Sequence, residues 1–421
     1  MNPIPEQKKR PTRSFRDRVG QINSLLPALL AFALPLSTSA VSVSAILILL
    51  FWLIEGRFRE KAVAIFSHPV AVAVLAFLVL LCLGLLWSDD FAVGIEALQD
   101  YWKIAMLPVL LTAISYRYQG LYIAAFVAGV STAMLLTFLV WFDLLHYADV
   151  SPTHLTPKTF HVIYNPLLAF AAYLVFHAAI WGKLAQQKSV SRIIRVALLC
   201  LGGLMCLNMF ITEGRTGQLV FLVLLALLLV QIFTQKRLLA ILTICLLLPA
   251  VFLLAYHWSP VFQQRIDTAQ QEIQGFRENP DTSDTSVGMR LLFIRNSLEL
   301  IQRHPWTGVG TGDFQVAYAE VNQKRSPTSI ATDNPHNQYV LVAAMLGIPG
   351  LLLLLFIFAV MFIQAWKIRD NRQRIRFAFP VFFLVIMLTE SYLKVYETGF
   401  LFSLFSAVLF IREPKRKSKY E

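Results

Sequence analysis

Apolar runs long enough to cross a lipid bilayer recur along the chain, separated mostly by short polar connections. A spanning helix needs about 20 mostly apolar residues. The pattern predicts spans near 23–38, 40–54, 67–86, 103–116, 120–145, 161–182, 195–212, 218–233, 238–258, 339–366, 377–393 and 399–411. One long polar stretch, 259–338, separates the ninth run from the tenth. The chain therefore reads as an all-α polytopic membrane protein of about twelve transmembrane helices. Its parts are 1–258 (spans 1–9 behind an N-terminal tail), a partly helical loop domain at 259–338, and 339–421 (spans 10–12 and a basic tail).

The polar stretch has a pattern of its own. Leu291, Ile294, Leu298 and Ile301 recur at helical spacing, as do Phe314, Ala317 and Val321. Gly308-Val309-Gly310-Thr311-Gly312 separates these two predicted helices, and Trp258, Phe262 and Trp306 suit a membrane interface. A shorter element, 87–102, reads as an amphipathic helix lying on the membrane surface.

Composition agrees with this reading. The 421 residues are 57% hydrophobic and only 15% charged, with mean hydropathy +0.61, against about 25% charged in soluble domains. The formal net charge of +12 would suggest nucleic acid in a soluble protein; here topology accounts for it. Of the 37 Lys and Arg, 26 fall on the side of the termini, and the 259–338 loop carries seven of them against nine Asp and Glu. By the positive-inside rule both termini are cytoplasmic and the loop lies on the opposite, periplasmic face of a bacterial inner membrane. The N-terminal run from Leu25 resembles a signal peptide and is read as an uncleaved first span. Cys82, Cys200, Cys206 and Cys245 all lie in apolar runs, so no disulfide framework is expected. No GxxxxGK[ST] or dinucleotide fingerprint occurs, and no Cys/His set has zinc spacing. Asp281 and Asp284 lack the glycine and terminal glutamate of a calcium loop. No ATP, cofactor, metal or nucleic acid is expected.

Two segments carry the candidate chemistry, each where a span begins on the loop side. In Gly214-Arg215-Thr216-Gly217 the arginine offers a planar fork for phosphate oxygens. The helix N-terminus adds free N–H groups, Thr216 can cap, and the glycines can let a ligand approach the backbone. The plain alternative is a glycine turn whose arginine reaches lipid headgroups. In Asp333-Asn334-Pro335-His336-Asn337-Gln338, the histidine falls in the expected first turn of the tenth span, with Asp333 or Asn334 as cap and Pro335 at the first helical position. A helix N-terminus favours the neutral imidazole, which can accept a proton; an interfacial histidine at a capped helix start is the plain alternative. Arg290 sits near the start of the loop helix beginning about Ser286, where a cation opposes the dipole and so is not there to stabilise the helix. Arg295 on that helix, His154, Lys158 and His161 in another loop, and Asn337 are candidate substrate contacts, while Arg303 and His304 suit a helix C-terminus.

These motifs, in this order around a large loop before the tenth span, resemble the bacterial O-antigen ligases (the WaaL family). The wider superfamily also holds O-antigen polymerases and protein O-oligosaccharyltransferases. The loop segment from Met289-Arg290 to Pro305-Trp306-Thr307-Gly308-Val309-Gly310 is part of the resemblance. It implies metal-independent transfer of a preassembled glycan from undecaprenyl diphosphate to a sugar hydroxyl of lipid A-core, with Arg215, Arg290 and His336 carrying the family's catalytic roles. Chemically, two arginines can stabilise the departing diphosphate and His336 can take the acceptor proton. No motif places a loop-side carboxylate as a nucleophile, so a single inverting displacement is expected. The nearest rival is an O-antigen polymerase with the same donor. A protein O-oligosaccharyltransferase fits less well, because no long region follows the twelfth run. The rival from another class is a twelve-span secondary transporter, which should show repeated halves and ionisable residues at mid-membrane.

Overall fold

The computed structural model describes residues 14–146, 156, 161–182, 191–279 and 284–411. Among them, eight helices are long and apolar enough to cross a membrane: Thr38–Glu55, Pro69–Trp87, Tyr116–Trp141, Val162–Trp181, Arg192–Ile211, Arg215–Ile232, Arg237–Trp258 and Gln338–Lys367. The protein is an all-α, multi-pass membrane protein. Buried shares sort the helices: 78% of the spanning window of Val162–Trp181 is buried against 11% of Arg237–Trp258, so the first is central and the second peripheral. A peripheral helix with exposed Leu246 and Leu254 is what lipid, rather than water, permits.

Four predicted spans are not single helices of crossing length. The first, predicted at 23–38, is the helix Leu26–Ala33 behind a separate helix Phe15–Asn23, and the fourth is divided into Trp102–Ala105 and Leu107–Ala113; Pro27 and Pro108 are the second residues of Leu26–Ala33 and Leu107–Ala113. The twelfth is Tyr396–Phe410. The eleventh, which the pattern predicts over 377–393, is the helix Gln373–Ile386 and ends early. Thr389 Oγ1 turns back onto the Ile386 carbonyl (2.9 Å), and the residues that follow form an irregular polar segment.

The tenth span is not continuous either. Gly347 (φ +67°, ψ −170°) breaks Gln338–Lys367. Pro349 has no N–H, so the Met345 carbonyl loses its helical donor; Gly310 N–H supplies one at 2.9 Å. Val309 N–H bonds the Ala344 carbonyl, and Ile348 N–H turns outward to Pro305 O (2.8 Å). The loop segment Pro305–Gly310 is thus inserted into the break. A Cβ on Gly347 would stand 2.6 Å from the Trp306 carbonyl carbon. Irregular backbone inside a membrane protein is tolerated where other protein groups satisfy it, and here the loop does so.

Among the described residues, the 259–338 stretch holds three helices, Pro260–Glu278, Ser286–Arg303 and Phe314–Arg325. The first is mostly polar and escaped the periodicity reading. The predicted surface helix is Phe91–Gln99, capped by Asp90. It is tied to the loop domain as well: Asp313 accepts from the Asp89 and Asp90 amides (2.7 and 3.2 Å). At the other end of the bundle, fully buried Arg376 forms a bidentate pair with Asp370 (2.5 and 2.6 Å), joining the end of the tenth span to the eleventh.

Candidate active site

His336 lies two residues before the tenth helix rather than within its first turn. The cap is Asn337, whose Oδ1 accepts from the Tyr339 and Val340 amides (3.1 Å each) while its Nδ2 donates to Leu388 O (3.0 Å). Asn337 is committed to the backbone and builds the turn rather than facing a substrate. His336 itself adopts φ +52°, a left-handed conformation uncommon outside glycine, although histidine enters it more often than most side chains. Its N–H donates to Asn334 Oδ1 (3.0 Å), which holds that conformation. Strain of this kind collects at functional sites when the surroundings over-determine it.

The imidazole has two fixed contacts. Its Nδ1 is 2.5 Å from Oε2 of Glu390, and its ring stacks on Phe293 with centroids 6.0 Å apart. Glu390 also accepts from Asn334 Nδ2 (2.7 Å) and the Ser391 amide (2.8 Å). Burial pushes the Glu390 carboxyl up. The hydrogen bond to His336, with the Ser391 and Asn334 donors, outweighs burial and holds it below the usual carboxylate range. An ionised carboxylate can only accept, so it fixes the proton of the neutral ring on Nδ1 and leaves Nε2 as an acceptor. The His336 side chain is 32% exposed and that of Glu390 11%, which suits an accessible base on a shielded support. Glu390 was not singled out from the sequence. The available signal was an acidic residue flanked by Thr389 and Ser391 at the loop-side end of an apolar run.

Phe293 belongs to the Ser286–Arg303 helix, three residues beyond Arg290 and so nearly one turn along the same face. Arg290 and Glu390 both act electrostatically on Tyr392, whose phenol burial pushes upward. No ion pair among the described residues involves Arg290. Arg295, five residues on, leaves the helix about 140° around its axis from Arg290.

Arg215 opens the Arg215–Ile232 helix, entered from Gly214 at φ +141°. Its Nη1 is 3.6 Å from Glu272 Oε2, on the Pro260–Glu278 helix, and it lies within electrostatic reach of Arg265 and Arg290. Arg265 pairs with Glu213. Thr216 is not the cap; it is buried, and its hydroxyl shares a hydrogen bond with Thr389 (2.8 Å), the neighbour of Glu390. The two glycines differ from expectation. A Cβ on Gly214 would stand 2.4 Å from Asn165 Nδ2, and one on Gly217 2.3 Å from Asn165 Cβ. They admit the neighbouring helix, not a ligand, and Asn165 Nδ2 bonds Glu213 O (2.5 Å) across that contact.

The three predicted groups are therefore linked through short chains of contacts at one end of the bundle. Arg215 reaches His336 by way of Thr216, Thr389 and Glu390; Arg290 reaches it by way of Phe293. Lys158 and His154 lie outside the described residues, and so does the side chain of His161, which starts its helix. Phe210 and Ile211, just before this segment, wall an apolar cavity of about 490 Å³ completed by Trp141, Cys206, Leu254 and Trp258. Leu254 and Trp258 are exposed at its rim. Residues 200–355 match the Wzy_C family model, described as O-antigen ligase. The match contains Arg215, Arg290 and His336 and stops before Glu390. No curated protein matches the chain.

Proposed function

We propose, from the match of residues 200–355 to the O-antigen ligase family model, that the chain is a ligase of the O-antigen ligase/polymerase superfamily. It transfers O-antigen polysaccharide from undecaprenyl diphosphate to a sugar hydroxyl of lipid A-core, on the periplasmic face of a bacterial inner membrane. The observation that carries the reading is the Glu390–His336 pair set against the helix of Arg290 and, through Thr389 and Thr216, against Arg215.

In the proposed reaction the donor diphosphate rests between Arg215 and Arg290. The polyprenyl chain leaves along the apolar cavity beside Phe210. The acceptor oxygen attacks the anomeric carbon and its proton passes to Nε2 of His336. The bond from that carbon to the diphosphate oxygen breaks, its electron pair stays on the diphosphate, and the guanidiniums stabilise the added charge. A preorganised donor of this kind contributes about 2.7–4 kcal/mol, and a positioned base roughly a hundred- to ten-thousandfold. Glu390 supports the displacement as partner of the ring: three donors engage its oxygens and it is largely shielded, so it does not serve as nucleophile. The product is expected to be inverted at the anomeric carbon; retention would rule out a single displacement. The excess of Lys and Arg on the other side supports cytoplasmic termini.

The test supplies purified protein with lipid-linked O-antigen and both acceptors, lipid A-core and a second lipid-linked glycan. Glycan arriving on lipid A-core supports the ligase. Chain lengthening alone would make the protein a polymerase.

A further inference from the structure

Glu272 has a position that the transfer chemistry above does not use. It lies on the Pro260–Glu278 helix with its side chain 12% exposed, and one oxygen serves two elements. Oε2 is 3.6 Å from Nη1 of Arg215 and accepts the Val287 N–H at 3.1 Å. Val287 is in the first turn of the helix that carries Arg290. A carboxylate thus occupies the point where one arginine and a free amide of the other arginine's helix converge, which is the arrangement expected of a bound phosphate oxygen.

We propose that Glu272 is a built-in competitor of the diphosphate that sets the order of affinities at this site: donor is admitted and spent carrier is expelled. The inference rests on the diphosphate binding at Arg215. The donor is a diphosphate esterified at both ends. Breaking the glycosyl bond leaves a terminal phosphate, which carries additional negative charge near neutral pH. Repulsion from the displaced carboxylate, still beside the site, grows with the charge of its neighbour, so Glu272 disfavours the product more than the donor. When the carrier leaves, the carboxylate returns to Arg215 and Val287, and neither group is left without a partner. Glu272 is a positioning residue in this scheme; it touches no reacting atom.

Glu272→Gln keeps an acceptor for the Val287 amide and removes the charge; Glu272→Ala removes both. Affinity for undecaprenyl diphosphate is measured on the full-length protein in detergent, with inorganic pyrophosphate as a lipid-free probe. Either folded variant should bind undecaprenyl diphosphate roughly tenfold more tightly than wild type. Multiple turnover should slow relative to single turnover, and KM should fall. Equal or weaker product binding in the folded variants overturns the proposal. Arg215→Gln separates this from failure of the functional reading. If it leaves affinity for undecaprenyl diphosphate unaltered, the diphosphate does not bind at Arg215 and both fall; if it abolishes binding while the Glu272 variants bind as wild type, only the competitor role falls.

Discussion

Nδ1 of His336 stands 2.5 Å from Oε2 of Glu390, joining a turn before the tenth span to the irregular segment after the eleventh helix. The contact does two things at once. It orients an accessible imidazole, and it anchors the segment from which Thr389 reaches the Arg215 helix. Removing the carboxylate charge should therefore impair chemistry before it impairs assembly. Glu390→Gln is expected to lower transfer about a hundredfold, within the range of a misdirected general base, while donor binding changes little. Kinetics of transfer beside a donor-binding isotherm check it.

The same pair predicts a dependence of stability on pH. The Glu390 carboxyl is held below its usual range in the folded protein. A depressed carboxylate contributes stability that is complete above its unfolded pKa and is lost as pH falls through its folded one. The melting-temperature gap between wild type and Glu390→Gln should be widest at neutral pH and close on acidification below the ordinary carboxylate range. A gap that stays constant across a melting series from neutral to acid pH contradicts an ionised Glu390.

Arg290 should behave differently from the residues that hold the site together. No ion pair among the described residues uses it, so Arg290→Ala should shift stability by less than about 0.5 kcal/mol. Transfer should nevertheless fall roughly a hundred- to a thousandfold, the cost of removing one preorganised charge-stabilising donor. Parallel melting and transfer assays on the single variant decide this.

Gly217 tests packing against ligand approach. A methyl group there meets Asn165 Cβ at 2.3 Å and its backbone carbon at 2.5 Å. Gly217→Ala is expected to destabilise by about 1–3 kcal/mol, as overpacking does, and to slow transfer by displacing Thr216 from Thr389. Unchanged melting with weakened donor binding would restore the ligand-approach reading.

The degree to which the chain announces this arrangement follows from the physics of each part. Lipid demands long apolar helices, so spans such as 120–145 and 238–258 are plain in the hydropathy, and Arg215, Arg290 and His336 stand out as polar groups at predicted helix starts. The break at Gly347 was hidden because its backbone is satisfied by Gly310 and Val309, residues from a distant loop. The Pro260–Glu278 helix was hidden by polarity, since its apolar contacts are few. Glu390 looked like the end of a span, and only the tertiary fold turns it toward His336. The glycines around Arg215 suggested open space, whereas Asn165 fills it; nothing local in Gly214–Gly217 reveals that neighbour.

The most direct measurement is transfer by His336→Ala, using purified protein, lipid-linked O-antigen and lipid A-core, with donor binding followed in the same preparation. A general-base role for His336 predicts wild-type donor affinity and a transfer rate lower by roughly a hundred- to ten-thousandfold. Transfer at the wild-type rate by a folded variant would contradict it, because the imidazole would then have no part in activating the acceptor.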